Sequence, residues 1–304
     1  MANADRPLNI PTYVDTDNHA THPRVFKDET KKYGYEWIMV FTPYSQGQDQ
    51  FENPLIVVSD NGIDWFVPKG LTNPIVAPEK PDEFHFSDTD LFDNGEELEL
   101  WFRESDKIND SRLSRLLRMT STDAVNWSEP EITFDFGTGG YGYGSPSVVM
   151  MDGEYQLYYR EHMNLNSEGY VLQKARILGD WSEKEEVVFD FGENYKDYVS
   201  WHVEINYMDG KYVALNHAAK DNQFFDGKLF LFESDDGIHF YNPKLLISKS
   251  LDGFDHSFIY KSSVVKHNNK YWIYYSAFNT NNENYIGLTI GKSFNDLIGY
   301  KVSE

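Results

Sequence analysis

Apolar and aromatic residues along this chain fall in short blocks bounded by Gly, Asn, Asp and Ser, a pattern of strands and turns; no segment shows a helical period. Five blocks resemble one another: Trp37-Ile38-Met39-Val40-Phe41, Leu98-Glu99-Leu100-Trp101-Phe102, Tyr155-Gln156-Leu157-Tyr158-Tyr159, Tyr212-Val213-Ala214-Leu215-Asn216 and Tyr271-Trp272-Ile273-Tyr274-Tyr275. Their first residues lie 61, 57, 57 and 59 positions apart. Most are preceded by a hairpin turn signal, Asp93-Asn94-Gly95, Asp152-Gly153, Asp209-Gly210 or Asn268-Asn269, and by another β-rich run such as Ser147 to Met150. After each comes a third run and a polar turn ending in an aromatic residue: Ser59 to Trp65, Ser121 to Trp127, a looser copy ending at Trp181, and Ser234 to Phe240. The fifth copy, near Ser293-Phe294-Asn295, is degenerate.

Each repeat therefore reads as four antiparallel strands. A four-stranded sheet that is apolar on both faces is stable only when stacked between similar sheets, which is the grammar of a propeller. The expectation is an all-β chain, residues 1–304 forming a single five-bladed β-propeller domain with four antiparallel strands per blade. The Asp-rich turns at Asp60, Asp123 and Asp235 are read as structural, because Asp and Asn bond their own backbone.

In a propeller the first strand of every blade lines the central channel. Eight residues before the second-strand anchors stand Asp90, Ser147, Glu204 and Ser263; two residues earlier, on the same strand face, stand Asp88, Ser145, His202 and Lys261. The first blade has a longer hairpin, and pattern matching gives His22 and Arg24 as its equivalents. One mouth of the channel should thus carry His22, Arg24, Asp88, Asp90, Ser145, Ser147, His202, Glu204, Lys261 and Ser263. Trp201 beside this ring is either a core plug or a stacking platform for a sugar, and Tyr141, Tyr143 and Tyr198 lie just upstream of channel strands.

Composition narrows the function. The 304 residues include 49 acidic and 27 basic side chains, a net charge of −22, which argues against nucleic acid and anionic membrane surfaces. There is no cysteine, which excludes disulfides and thiolate chemistry. Apolar residues make up 40% and aromatics 16%, enough for a packed core. No apolar run is long enough to insert in a membrane, and Met1 to Ile10 lacks the features of a signal peptide.

The repeats, the Gly-x-x-Trp/Phe turns and strings such as Asp152-Gly153-Glu154-Tyr155-Gln156-Leu157-Tyr158-Tyr159 resemble the five-bladed propellers of the arabinanase, xylosidase and invertase superfamily, across nearly the whole chain. More narrowly, His22-Pro23, Phe41-Thr42-Pro43-Tyr44, Glu52-Asn53-Pro54, Ser87-Asp88-Thr89-Asp90 and Trp201-His202-Val203-Glu204 look like a subgroup in phage tail-tip and bacterial surface proteins. That resemblance implies a receptor-binding head for cell-wall glycan such as teichoic acid, placed outside the cell or on a virion. The glycosidases of the superfamily use three channel carboxylates; at the matching positions this chain has His22, Ser145 and Trp201. A serine and an indole cannot carry proton transfer to a glycosidic oxygen near neutrality.

The first expectation is accordingly a carbohydrate-binding propeller, with His22, Arg24, Asp88, Asp90, Tyr143, Ser145, Trp201, His202, Glu204 and Lys261 as ligand-binding residues and an oligo- or polysaccharide as partner. The alternative is a glycoside hydrolase with rearranged acids, in which Asp90 and Glu204 face each other across the channel. No cofactor is required by either reading, although the channel leaves room for a cation such as Ca2+. Ligands drawn from different blades have no local spacing from which to read a metal.

Overall fold

The computed structural model describes residues 2–14, 18–106, 113–138, 144–164, 167–220 and 226–301. Strands dominate, and among the described residues the helical elements are three short 3-10 turns, Ser45–Gly47, Asp49–Phe51 and Glu193–Tyr195. Among the described residues no helix is long and apolar enough to cross a membrane. The strands form five successive antiparallel units in chain order. Unit one holds β1 (Thr21–Lys27), β2 (Trp37–Thr42) and β3 (Leu55–Ser59). Unit two holds β4 (Phe84–Asp93), β5 (Leu98–Asp106), β6 (Leu113–Ser121) and β7 (Glu131–Thr138). Unit three holds β8 (Gly144–Met151), β9 (Glu154–Asn164), β10 (Ser167–Ala175) and β11 (Glu185–Phe189). Unit four holds β12 (Tyr198–Met208), β13 (Lys211–Lys220), β14 (Lys228–Ser234) and β15 (His239–Ile247). Unit five holds β16 (Phe258–His267), β17 (Lys270–Phe278), β18 (Asn284–Gly291) and the two-residue β19 (Ile298–Gly299).

Alternation along each second strand explains the radial stacking. In β2, Trp37, Met39 and Phe41 pack against Tyr274, Ile286 and Leu288 of unit five, whereas Ile38 and Val40 pack against Leu98, Leu100 and Phe102 of unit two. The same division recurs around the molecule: one apolar cluster joins units two and three, another units three and four, another units four and five. Both faces of every sheet are therefore core, so no sheet is stable alone. The innermost strands touch in a closed circuit, β1 with β4, β4 with β8, β8 with β12, β12 with β16 and β16 with β1. This is the all-β propeller expected from the repeats. The N-terminal segment seals the seam between units five and one, with Leu8 and Ile10 in the shared core and the Leu8 N–H donating to the Ile286 carbonyl.

Two details depart from a uniform pattern of four strands. In unit one the outer strand reduces to an isolated bridge between Val58 and Phe66; Pro68 and Gly70 follow at once, and a proline has no N–H to extend the ladder. In addition, β11 and β15 pair in parallel through Val188–His239 and Phe189–Phe240, which fuses units three and four into one eight-stranded sheet.

The turns follow their local chemistry. Asp152-Gly153, Asp209-Gly210 and Asn268-Asn269 have positive φ at both residues, as two-residue hairpins demand. The Asx turns are fixed by Asn61, Asp123 and Asp236, each accepting backbone N–H bonds from two or three residues ahead. Asp60 and Asp235, expected to play that part, instead point outward and meet Lys31 and Tyr241. Gly237 is required where it stands: its φ is 76°, and a Cβ would come within 2.6 Å of the Tyr158 hydroxyl from the neighbouring unit.

A buried charge cements units two and three. Glu99, in β5, is fully buried and accepts bonds from Trp101 Nε1 (2.9 Å), Asn94 Nδ2 (2.6 Å), Arg118 Nη2 (2.8 Å) and the Tyr155 hydroxyl (2.7 Å). Burial alone would raise its carboxyl, but Arg118 and the three neutral donors outweigh it and hold the group below the usual glutamate range. Because the folded value is depressed, the stabilisation is complete above the ordinary carboxylate range and fades as pH falls through the folded value. Glu99→Ala is expected to cost about 3–5 kcal/mol, since it takes the acceptor from the donors of Trp101, Asn94 and Tyr155 and leaves Arg118 with only the more exposed Glu97 and Glu131. Urea titrations across an acidic pH series should also show a shallower loss of stability on the acid side in Glu99→Gln than in the wild type; equal slopes would remove Glu99 from that role.

Candidate functional site

Every innermost strand carries a register irregularity at the same place: between Thr21 and Arg24, Ser87 and Asp90, Gly144 and Ser147, Ser200 and His202, and Ile259 and Ser262. A bulge re-aims side chains and bends the strand, and such strain collects at functional sites. In three of the five strands a non-glycine residue pays for it with a left-handed backbone: His22 (φ 52°), Asp88 (φ 54°) and Ser145 (φ 51°). These are equivalent positions, and all three side chains turn into the channel. The channel is thereby divided into two tiers.

The deeper tier is a closed ring of bonds from side chains to the backbone of the next strand. Arg24 Nε donates to the Leu91 carbonyl (3.2 Å), and Asp90 accepts from Val148 N–H (2.6 Å). Ser147 accepts from Ile205 N–H (2.8 Å), Glu204 from Val264 N–H (3.0 Å), and Ser263 from Val25 N–H (3.0 Å). Thus β1 grips β4, β4 grips β8, and so on until β16 grips β1. Arg24 also bridges the two acids, with Nε 2.8 Å from Asp90 Oδ1 and Nη1 against Glu204. Burial holds the Glu204 carboxyl above the usual range despite the attraction of Arg24. The Asp90–Glu204 pair read from the sequence as facing across a substrate gap is in fact separated by this guanidinium, and both side chains are about fully buried, at 2% and 1% exposure.

The upper tier gathers the bulged residues. His22 Nε2 lies 3.2 Å from Asp88 Oδ1, and His202 Nδ1 lies 3.6 Å from the same oxygen. Ser145 donates its backbone N–H to Asp88 Oδ2 (3.3 Å), and its hydroxyl is 2.6 Å from His202 Nδ1. The Thr42 hydroxyl is 2.9 Å from His22 Nδ1. His202 Nε2 is buried without a hydrogen-bond partner, and the approach of His22 Nε2 to Asp88 is a charge contact rather than an aligned hydrogen bond. Burial would raise the Asp88 carboxyl, but Arg103 first, then His22, His202 and Lys261, hold it far below the ordinary range. Burial pushes the His22 imidazole down to about 3 in spite of Asp88, and pushes His202 well below its usual value. The result is one ionised carboxylate facing two neutral imidazoles, and ligand atoms of His22, Asp88 and His202 all lie within 4.8 Å of one another. Deprotonated carboxylate and neutral imidazole are the forms that ligate metals, and unpaired buried nitrogens need an explanation. Two nitrogens and one oxygen suit a transition ion such as Zn2+, Mn2+ or Fe2+ better than the all-oxygen shell of Ca2+.

Other residues complete this tier. Lys261 spans the channel to donate to the Thr89 carbonyl (2.7 Å), with its ammonium pKa lowered by burial. His217, paired with His202 across the β12–β13 ladder, stacks on it with ring centroids 5.9 Å apart. Tyr260 packs against His22, His202 and His217, its ring centroid 4.5 Å from that of His202. The indole of Trp201 is not an open platform: the Arg160 guanidinium lies 3.6 Å from its ring centroid. Arg160, 3% exposed, has its pKa lowered to about 10, first by burial and further by the charge of Arg103, with Tyr170, Tyr260 and Asp88 opposing. Tyr198 joins the apolar cluster around Phe191 and Phe230 rather than the site, and Tyr141 and Tyr143 fall outside the described residues.

Sequence reasoning missed two residues. Glu52, which follows the turn Asp49–Phe51 between β2 and β3, places Oε1 3.6 Å from His22 Nδ1 and Oε2 3.7 Å from His85 Nε2. His85 opens β4, three residues before Asp88, and its side chain is 12% exposed. Glu52 belongs to the string Glu52-Asn53-Pro54 that carries the family likeness, but it comes from a connection rather than a channel strand, so alignment on the strands passes over it; His85 lies two residues ahead of the string that starts at Ser87.

No family model matches the chain. It is 26% identical, over 85% of its length, to an A type blood N-acetyl-α-D-galactosamine deacetylase of Flavonifractor plautii, and spans 39% of that protein. Its fold superposes on the crystal structure of an N-acetylgalactosamine deacetylase from F. plautii in complex with blood group B trisaccharide, with a TM-score of 0.84, 20% identity, and 98% and 95% of the two chains covered. It is also similar to a thermostable family-43 glycoside hydrolase (TM-score 0.67, 13% identity, 96% and 97% covered) and to a Bacillus subtilis arabinanase (0.61, 15%, 90% and 94%). The fold is therefore that of the arabinanase-like β-propellers.

The deeper ring predicts a structural rather than a chemical penalty at its acids. Asp90→Ala removes the acceptor of Val148 N–H and a counter-ion of buried Arg24, and should cost about 3–5 kcal/mol. Chemical denaturation of Asp90→Ala and Glu204→Ala checks this, and a variant of wild-type stability would place its carboxylate outside the ring.

Proposed function

We propose that this chain is a metal-assisted N-deacetylase acting on N-acetylated amino sugars in a glycan. The observation that carries the reading is the buried His22–Asp88–His202 cluster at the channel mouth, whose ligand atoms lie within 4.8 Å of one another. The likeness to a deacetylase of N-acetylgalactosamine supports it. Since the chain spans only 39% of that relative, the substrate and any further domain are part of the proposal.

His22, Asp88 and His202 would hold a divalent cation. Bound there, such an ion acts as a Lewis acid toward an amide carbonyl and lowers the pKa of water. Glu52 is the group placed to take a proton from an attacking water, since its carboxylate faces the cluster and is oriented by two imidazoles. Water oxygen bonds to the acetyl carbon, the carbon–nitrogen bond breaks, acetate leaves, and the amine nitrogen gains the proton. His85, partly exposed and in reach of Glu52, is the side chain suited to deliver it. Thr42 and Ser145 fix the ring orientations of His22 and His202 through their Nδ1 atoms.

Glycoside hydrolysis has less to work with, because Asp90 and Glu204 are tied into the inter-strand ring. Glycan binding without cleavage keeps the same pocket. The wall-glycan, phage-tail form of that reading rests on sequence strings alone and gains nothing from the relatives described. The deciding experiment measures acetate release from a panel of N-acetylhexosamine oligosaccharides. Activity is expected to vanish with a chelator and return with a transition-metal ion. Asp88→Asn should weaken metal affinity about 10–100-fold, with activity falling in parallel. Saturable sugar binding with no acetate released under any metal would leave the chain a lectin-like propeller and end the deacetylase reading.

A further inference from the structure

A bulge interrupts the ladder of backbone bonds, so the residues it skips lose their partner across the sheet. In four of the five innermost strands, a residue skipped in this way has its carbonyl taken by a side chain from another strand. Thr89 Oγ1 donates to the His22 carbonyl (2.9 Å), and Lys261 Nζ donates to the Thr89 carbonyl (2.7 Å). Ser276 Oγ donates to the Lys261 carbonyl (2.7 Å), and the Tyr170 hydroxyl to the Trp201 carbonyl (2.9 Å). All four donor residues are buried, Thr89 and Ser276 at 0% exposure and Lys261 at 2%.

Three of these bonds run in series, from Ser276 in β17 to Lys261 in β16, to Thr89 in β4, to His22 in β1. Thr89 is the middle of the chain. It follows Asp88 directly, so its own two bonds fix the backbone on one side of that residue and tie it to the carbonyl of His22. Asp88 and His22 are the pair in left-handed backbone whose side chains meet at 3.2 Å. Relaxation at either bulge would swing a side chain out of the cluster, and such strain persists only while neighbours hold it. Lys261 lies among Asp90, Asp88, Glu204 and Arg24. By charge alone an ammonium there would weaken a cation at the cluster; what it contributes is a grip on the bulge.

We propose that Thr89 and Lys261 are positioning residues for the His22–Asp88–His202 cluster. By capping the bulge carbonyls they keep the ligand atoms of His22 and Asp88 at the observed separation, and affinity for a divalent cation depends on both although neither supplies a ligand. The inference rests on the metal-binding part of the deacetylase reading, while its test reads the cluster without recourse to acetate release.

Cobalt(II) is the probe, because its visible absorption reports ligand arrangement. Titrations compare the wild type with Thr89→Val, which keeps the shape and loses the hydroxyl, Thr89→Ser, which keeps the hydroxyl, and Lys261→Met, which keeps the stem and loses the ammonium. Thr89→Val and Lys261→Met should bind cobalt about tenfold more weakly, with shifted absorption bands, and Thr89→Ser should resemble the wild type. The sign at Lys261 is diagnostic: removal of a like charge would by itself tighten cation binding, so weaker binding marks positioning. Glu99→Gln, at the junction of units two and three, controls for general loss of stability and should leave the spectrum unchanged. If Lys261→Met does not fold, the comparison of Thr89→Val with Thr89→Ser decides. A wild type that takes up no cobalt, tighter binding in Lys261→Met, or a Thr89→Val spectrum and affinity equal to the wild type overturns the proposal. Acetate release is followed in the same samples: shifted cobalt spectra without any release keep the positioning role and end the deacetylase reading, and release with unshifted spectra does the reverse.

Discussion

Around the channel, each innermost strand holds the next by one side chain on one backbone group, and the rest of the molecule depends on that circuit closing. Apolar stacking between the sheets is strong but non-directional, and would tolerate sliding of one sheet on its neighbour. The bonds from Arg24, Asp90, Ser147, Glu204 and Ser263 fix the register between blades. Two of the five donors and acceptors are carboxylates, and Arg24 pairs with both, which is how so much charge is accommodated at the axis of the protein.

Fixed register in the deeper tier is what allows strain in the upper one. His22, Asp88 and Ser145 occupy left-handed backbone at bulges two residues from the ring, and such conformations persist only where neighbours over-determine them. The gain is convergence: residues from β1, β4, β8 and β12 meet within hydrogen-bonding range, and a buried carboxylate is kept ionised beside two neutral imidazoles.

The periphery contributes in a different way. Arg103 and Arg160 stand on the second strands β5 and β9, and Trp201 stands at the β12 bulge. Glu52 and His85 reach in from a connection and from the start of a strand. Chemistry at the centre is thus set by the five inner strands, and what the centre meets is set by the elements around it.

The chain's own pattern was sufficient for the architecture and for most of the axial residues. Five aromatic strings at near-constant spacing imply stacked sheets, and alternation on strands places residues ten and eight before each of the last four strings on one channel-facing side. That inference depends only on strand period and repeat length, both local properties. It could not separate the two tiers, because Asp88 and Asp90 are alike in sequence and differ only in what crosses the channel to meet them: Arg103 and two histidines for one, Arg24 and a neighbouring N–H for the other. Nor could it find Glu52, the covered face of Trp201, or the parallel junction of β11 with β15. Each of these is a contact between segments distant along the chain, and closure of the ring is what brings them together.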